Sequence, residues 1–334
     1  GPIWFKMEYF TSLCNTSWWQ NALLLDDMLV QQTDYCFGWG WYLSNDYQMF
    51  IITPIFIWLY IKNKTFGKFA MVILILLSYV LALIIGADLH VRASPPVTGG
   101  ISNEKGFAYY YVKPYIRLPP YFIGILVALW YKEFREETGF SYKLGKAIAR
   151  SSVTRNFLTY FGFIILFGLL IIPRQLQFDD KAWSDTAHVT FKAFQKSLYV
   201  IGMTMIIVPI LVGEKNMLKR FLCHPIFVPL ARLSFTAYLV HLFWVYKNYF
   251  DLPFSFHITY TNGTLNTISN AAFAFLTGLI LSLVIEVPMA NIESTYLMGG
   301  GRKKRAPKPV DEATGRNHAE AAIIPIDNQN NKKN

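Results

Sequence analysis

The sequence predicts an all-α protein, a polytopic transmembrane helical bundle of about seven spans. Three observations carry that prediction. Of the 334 residues, 53% are hydrophobic and only 16% charged, a balance that leaves a water-soluble fold with too few charges to cover its apolar side chains. The apolar residues fall in runs that approach the roughly 20 residues a helix needs to cross hydrocarbon. The basic residues gather in short clusters between those runs, which is the positive-inside pattern. The same clustering answers the net charge of +10: it reads as membrane topology, not as a face that binds nucleic acid.

Residues 1–46 form the first predicted region, an extracytoplasmic segment. It holds Cys14 and Cys36, which pair if the compartment is oxidising and otherwise remain two free thiols. Closing that loop would stabilise the fold by roughly 3 kcal/mol on the loop-entropy model. The third cysteine, Cys223, falls on the reducing side, and no Cys/His spacing predicts a metal site. The transmembrane region follows over residues 47–298. Its predicted spans are Tyr47 to Ile61, Phe69 to Gly86, Leu118 to Tyr131, Phe157 to Pro173, Ser197 to Gly213, Leu230 to Tyr246 and Ile268 to Val287.

The connecting segments set the predicted orientation. "KNKTFGK" (62–68), the long stretch 132–155, "EKNMLKR" (214–220) and "GRKKR" (301–305) are basic, and alternating spans place all four on the cytoplasmic side. Segments 87–117, 174–196 and 247–267 then lie outside. Two sequons, at Asn15 and Asn262, fall on the outer side as glycosylation sites, whereas the one at Asn63 falls inside and stays bare. Residues 299–334 lose the apolar period and read as a flexible basic cytoplasmic tail. The expected location is an endomembrane or the plasma membrane, with membrane lipid as partner and no nucleic acid.

Four polar features stand out against this background. In "LARLSFTAYLVHLFWVYK", Ser234, Tyr238 and His241 share one helical face. Such a stripe either lines a polar cavity or glues two helices together. A neutral imidazole there is a proton acceptor. In "KPYIRLPPYFIGILVALWY", Arg117 stands at the outer mouth of a span that Pro119 and Pro120 open. Its guanidinium either grips a carboxylate, phosphate or acyl oxygen, or snorkels to headgroups. Glu286, at the end of the last span in "LVIEVPMANIE", is expected to pair with a cation or face water. Asn45, Asp46 and Gln48 open the first span, where they line an outer-facing cavity or cap the helix.

Taken in order, "CNTSWWQNALLLDD", "CFGWGWYLSNDYQMFIITP", "KPYIRLPPYFIGILVAL", "LARLSFTAYLVH" and "VIEVPMANIE" resemble the acyltransferase-3 superfamily. The nearer likeness is to its animal-type branch, the nose-resistant-to-fluoxetine-like proteins. The resemblance implies a membrane acyltransferase that takes an acyl group from a cytoplasmic acyl-CoA-type donor, without a metal. The acceptor it implies is a lipid, a sugar or another molecule. On matched positions it implies cavity lining, substrate orientation and helix-end pairing by Tyr238, Arg117 and Glu286, with His241 and Tyr238 as the catalytic pair and His241 assisting proton transfer. Ser234, Asp46 and Asn45 are expected to contact substrate from their place on the polar faces of their helices.

The superfamily's principal histidine lies on its first helix, upstream of the region that "GPIW" matches. Three explanations stand open: a piece of a longer protein, helices supplied by another chain, or an inactive relative. The competing functional classes are a non-catalytic carrier of lipids or lipophilic compounds and a structural subunit of a membrane assembly.

Overall fold

The computed structural model of the chain describes residue 8 and residues 11–29, 36–93, 106–177, 179, 182–213, 217–251 and 259–297. Among the described residues every regular element is helical. Helices α1 (Cys14–Ala22) and α2 (Asp26–Leu29) are short, and α3 (Trp41–Lys62), α4 (Lys64–Asp88) and α5 (Pro114–Arg135) are long. A π turn, Phe107–Tyr111, precedes α5. Then come α6 (Gly139–Arg150), α7 (Ser152–Ile171), a 3-10 turn at Ile172–Gln177, and α8 (Asp185–Leu211). The remainder comprises α9 (Met217–Leu222), α10 (Phe227–Phe250), α11 (Tyr260–Leu281) and α12 (Val287–Ile292), with π turns Ser282–Glu286 and Glu293–Leu297 around α12. Six helical stretches are long and apolar enough to cross a membrane: Lys64–Asp88, Phe107–Arg135, Ser152–Leu176, Asp185–Leu211, Phe227–Phe250 and Thr261–Tyr296. Helix α3 is a further 22-residue helix whose first turns, carrying Ser44, Asn45, Asp46 and Gln48, dilute its apolar character. The chain is therefore an all-α integral membrane protein.

The helices start and end beyond the apolar runs, because capping groups and not hydropathy set their ends. Asn63 caps α4 by accepting from the amides of Thr65 and Phe66, both at 3.0 Å. Ser184 caps α8 in the same way through Ala187 N–H. The predicted opening of a span at Pro119 and Pro120 is corrected here. Helix α5 begins at Pro114, so both prolines lie inside it and Arg117 sits in its first turn. Proline at 119 leaves the carbonyl of Tyr115 without its helical donor. The hydroxyl of Ser78 on α4 donates to that carbonyl instead. In the last span, Pro288 falls in the first turn of α12, just after the π turn Ser282–Glu286, where a missing amide costs little.

Two units divide the chain, Ile3–Glu214 and Lys215–Asn334 with Gly1–Pro2. In the first, α4 packs on α3, α5 and α8, and α7 packs on α8. The face that α4 buries reads Gly67, Met71, Ile75, Ser78, Ala82 and Gly86, a three-and-four spacing. Met71 and Ile75 meet Tyr60, Phe122 and Leu129 in one apolar cluster. Helices α7 and α8 touch backbone to backbone: a Cβ on Gly162 would stand 2.7 Å from the carbonyl oxygen of Gly202. In the second unit α10 and α11 run antiparallel, since Ala237 meets Gly278, Trp244 donates to Thr277 at 2.9 Å and Asn248 donates to Asn270 at 2.6 Å.

The ends of α3, α4, α5 and the start of α6 converge on Glu133. Its buried carboxylate accepts from Tyr60 Oη at 2.8 Å, Lys68 Nζ at 2.7 Å and the Ser141 hydroxyl. The meeting of α3 and α5 C-termini with the α4 N-terminus fixes the alternating direction of these three helices. The Cys14–Cys36 disulfide is formed and ties the start of α1 to the turn that leads into α3. The tail predicted over 299–334 lies outside the described residues.

Candidate functional site

At the end of the first unit opposite Glu133, polar groups gather that hydrocarbon alone would reject. Helix α2 presses Asp26 and Asp27 against α3 until 1% and 0% of each remains exposed. Asp26 accepts from the Ser44 hydroxyl and from Asn21 Nδ2 at 3.0 Å, and Asp27 accepts from Gln48 Nε2 at 2.7 Å. Lys113, at the start of α5, donates to the backbone carbonyls of Asp27 at 2.7 Å and Met28 at 3.2 Å. Burial raises the carboxyl of Asp26, against the lowering effect of its Ser44 hydrogen bond. Burial, aided by the neighbouring charge of Asp26, raises Asp27 to about 6. Asn45 donates to Trp41 O at 2.8 Å and Val112 O at 2.6 Å, tying α3 to the segment before α5. Asp46, the next residue, turns outward and is exposed.

One helical turn above Lys113, Arg117 sits over two aromatic rings. Its guanidinium carbon is 4.7 Å from the Trp41 ring and 4.6 Å from the Tyr111 ring, and Nε and Nη2 both donate to Tyr111 O at 3.2 Å. Tyr111 is the hub, because Lys196 of α8 places Nζ 5.1 Å from the same ring. That Nζ is buried and meets no hydrogen-bond partner among the described residues. Lys192, a turn earlier, lies within electrostatic reach of both Arg117 and Lys196. Two cations thus share the Tyr111 ring with a third in electrostatic reach, and the Lys196 ammonium has no hydrogen-bond partner among the described residues. The charge of this cluster is complementary to an anionic group such as a carboxylate or a phosphate.

His188 continues the same face of α8, four residues before Lys192 and eight before Lys196. It is buried, and its Nδ1 accepts from the amide of Ala93 at 3.1 Å, so the proton resides on Nε2. Nε2 meets no partner among the described residues and stands as a hydrogen-bond donor. This row was missed in the sequence. Segment 174–196 reads as an outer loop because its charges depress hydropathy, yet α8 begins at Asp185. The usable signal was the spacing His188, Lys192, Lys196 in "HVTFKAFQK".

The remaining predicted site residues belong to the second unit. On α10, Tyr238 and His241 are half-buried, with rings stacked at 5.3 Å, while Ser234 is exposed and donates to Ala231 O at 2.8 Å. His241 Nδ1 lies 2.5 Å from Tyr238 O. A carbonyl only accepts, so Nδ1 carries the proton and Nε2 keeps its lone pair. In a neutral ring this contact makes His241 the opposite tautomer to His188. Glu286 is exposed in its π turn and accepts from Ser282 Oγ at 2.8 Å. The sequon residues Asn15 and Asn262 are both exposed.

The family model of the acyltransferase domain, acyltransferase-3, matches residues 3–287. The chain belongs to the acyltransferase-3 family. Nose resistant to fluoxetine protein 6 of Caenorhabditis elegans is 27% identical over 302 residues, 88% of this chain and 36% of that protein. Regulator of hypoxia-inducible factor 1 of the same organism is 24% identical over 290 residues, 80% of this chain and 52% of that protein. This acyltransferase-3 chain thus spans about a third and about half of the curated relatives it matches. No solved structure matches it. The cationic cluster, His188, His241 and the start of the Glu286 turn all fall inside the matched acyltransferase-3 domain.

Proposed function

We propose that this chain is the acyltransferase-3 part of a membrane O-acyltransferase that moves an acyl group from a cytoplasmic acyl-CoA-type donor to a hydroxyl-bearing acceptor. The acceptor we favour carries an anionic group, as a phospholipid or an acidic sugar does. The observation that carries this reading is the convergence of Arg117, Lys192 and Lys196, with the Lys196 ammonium buried and unsatisfied inside the matched domain. A buried unpaired cation costs stability, and an anionic substrate offsets that cost on binding.

The chemistry asked of the protein is modest. The acceptor hydroxyl gives its proton to a base, its oxygen bonds to the thioester carbonyl carbon, the C–S bond breaks, and the thiolate leaves and takes up a proton. Within its own unit, His241 is offered as an assisting base, with the Tyr238 ring stacked against it at 5.3 Å. By the positive-inside rule the Glu133 end of its unit faces the cytoplasm and the Arg117 end faces outward. Residues 1–46 are then extracytoplasmic and the tail cytoplasmic, with Asn15 and Asn262 available to glycosylation.

The test is acyl transfer by the full-length protein in proteoliposomes, comparing anionic and neutral acceptors. Arg117→Gln and Lys196→Gln are expected to raise the KM for anionic acceptors by about tenfold or more. An equal KM for both acceptor classes in wild type and variants overturns the anionic assignment.

A further inference from the structure

We propose that α6 is an interfacial helix whose outer faces bind the anionic lipid surface of the membrane. The reading of residues 132–155 as a basic connection holds no such element, and the acyl-transfer site makes no use of it.

Helix α6 divides into three stripes. Ser141, Gly145 and Ile148 are buried against the end of α5. Ser141 donates to Glu133, Thr138 Oγ1 reaches Glu133 O at 3.4 Å, and the Phe134 ring fills the place a side chain on Gly145 would need. These contacts fix the helix by one side. At about 100° per residue, Phe140 and Leu144 form a second stripe, and Lys143, Lys146 and Arg150 a third. Phe140 is 77% exposed and Leu144 40%. The 12 residues include three cations and no acid.

The occupant follows from that chemistry. A large exposed aromatic beside a leucine wastes stability in water, and a hydrocarbon boundary removes the penalty. Lysine and arginine flanking an apolar stripe is the arrangement of helices that lie in the headgroup plane. The neighbouring start of α7 continues the apolar level outward, with Val153 at 77% and Phe157 at 59% exposed. Of the acids just before the helix, Glu133 takes Lys68 and Ser141 and Glu136 pairs with Lys132 at 3.7 Å, while Glu137 is exposed beside the helix N-terminus, at the end of α6 opposite Arg150. The surface that remains is cationic and complementary to phosphatidylserine-type headgroups. The orientation proposed above chooses only which leaflet this is.

The full chain in detergent micelles, titrated with phosphatidylserine, phosphatidylcholine and soluble glycerophosphoserine, tests the inference without depending on orientation. Phosphatidylserine is expected to bind, and the triple variant Lys143→Gln, Lys146→Gln, Arg150→Gln to bind it about a hundredfold more weakly. Phosphatidylcholine and the soluble headgroup are expected to bind neither protein. Equal phosphatidylserine binding by wild type and variant overturns the inference. A second measurement holds even where the triple variant does not fold. A spin label at Phe140→Cys, with the exposed Cys223 replaced by serine, is read in bilayer nanodiscs. Collision with oxygen and protection from aqueous nickel reagent supports burial in lipid. Free access of nickel reagent, or protection found only where a second copy of the chain is bound, overturns it.

Discussion

Lys196 holds its ammonium 5.1 Å from the centroid of Tyr111, with Nζ buried and without a hydrogen-bond partner among the described residues. Arg117 shares that ring at 4.6 Å. The aromatic face attracts both cations, yet a cation–π contact contributes only about 2 kcal/mol even when desolvated. Like charges brought together in this way are tolerated where they serve binding, which gives a first prediction. Lys196→Met removes the buried charge and keeps the stem. It is expected to stabilise the protein by about 1–3 kcal/mol while lowering acyl transfer about tenfold or more. Thermal unfolding and turnover are measured on one preparation; a variant that loses both stability and activity assigns Lys196 a structural role.

The second prediction concerns pH. The carboxyl of Asp27 is raised from 3.8 to about 6, so the folded state binds the extra proton within that window. Stability contributed through this group is therefore greatest below pH 4 and falls as pH rises through about 6, by on the order of 3 kcal/mol. Asp27→Asn is expected to flatten that part of the curve. Melting temperatures across pH 3.5 to 7 decide it, and parallel curves for the two proteins sink the assignment.

Ser78 and Tyr115 supply the third. Ser78→Ala leaves the Tyr115 carbonyl without the donor that replaces Pro119 N–H, at a cost of about 1–2 kcal/mol. Adding Pro119→Ala restores an amide at that position and is expected to recover part of the loss. Chemical denaturation of both single variants and the double variant gives the coupling; additive losses would falsify the substitution of one donor for the other.

The pairing of Lys68 with Glu133 yields a fourth. The carboxylate is buried at 7% side-chain exposure, but Lys68 remains 35% exposed, so solvent weakens the pair. A double-mutant cycle with Lys68→Met and Glu133→Gln is expected to show a coupling of about 1–2 kcal/mol. A coupling near zero leaves Tyr60 and Ser141 as the groups that hold Glu133.

A fifth prediction separates the three sequons. Asn63 uses its side-chain oxygen to cap α4, and Asn63→Ala is expected to cost about 1 kcal/mol with no change in protein mass. Asn15 and Asn262 are exposed and are expected to carry glycan. Mass spectrometry before and after deglycosylation reads all three, and sugar on Asn63 reverses the proposed orientation.

Much of this protein is legible along the chain. Apolar runs locate the long helices because, in hydrocarbon, a backbone must satisfy its own hydrogen bonds. Cys14 and Cys36 were paired from their shared segment, and Arg117 was marked by a charge at a helix start. The eye fails where charges interrupt the apolar period. His188, Lys192 and Lys196 lowered the hydropathy of the first turns of α8 and hid it in a loop, and the three-striped α6 was concealed among basic residues. Asn45 and Asp46 are adjacent in sequence, yet one ties α3 to Val112 and the other faces outward, since a helix turns them about 100° apart.

The sequence by itself determined that this is a helical membrane protein, of which family, and roughly where its long apolar helices lie, because those properties follow from local apolar density and ordered motifs. Only the tertiary structure decided the partners. Ser78 answering for Pro119, Tyr111 collecting Arg117 and Lys196, and opposite tautomers at His188 and His241 all depend on atoms that meet through packing or backbone geometry. Hydrogen bonds and charge contacts act over a few ångströms, and no pattern along one dimension specifies which distant residues come that near.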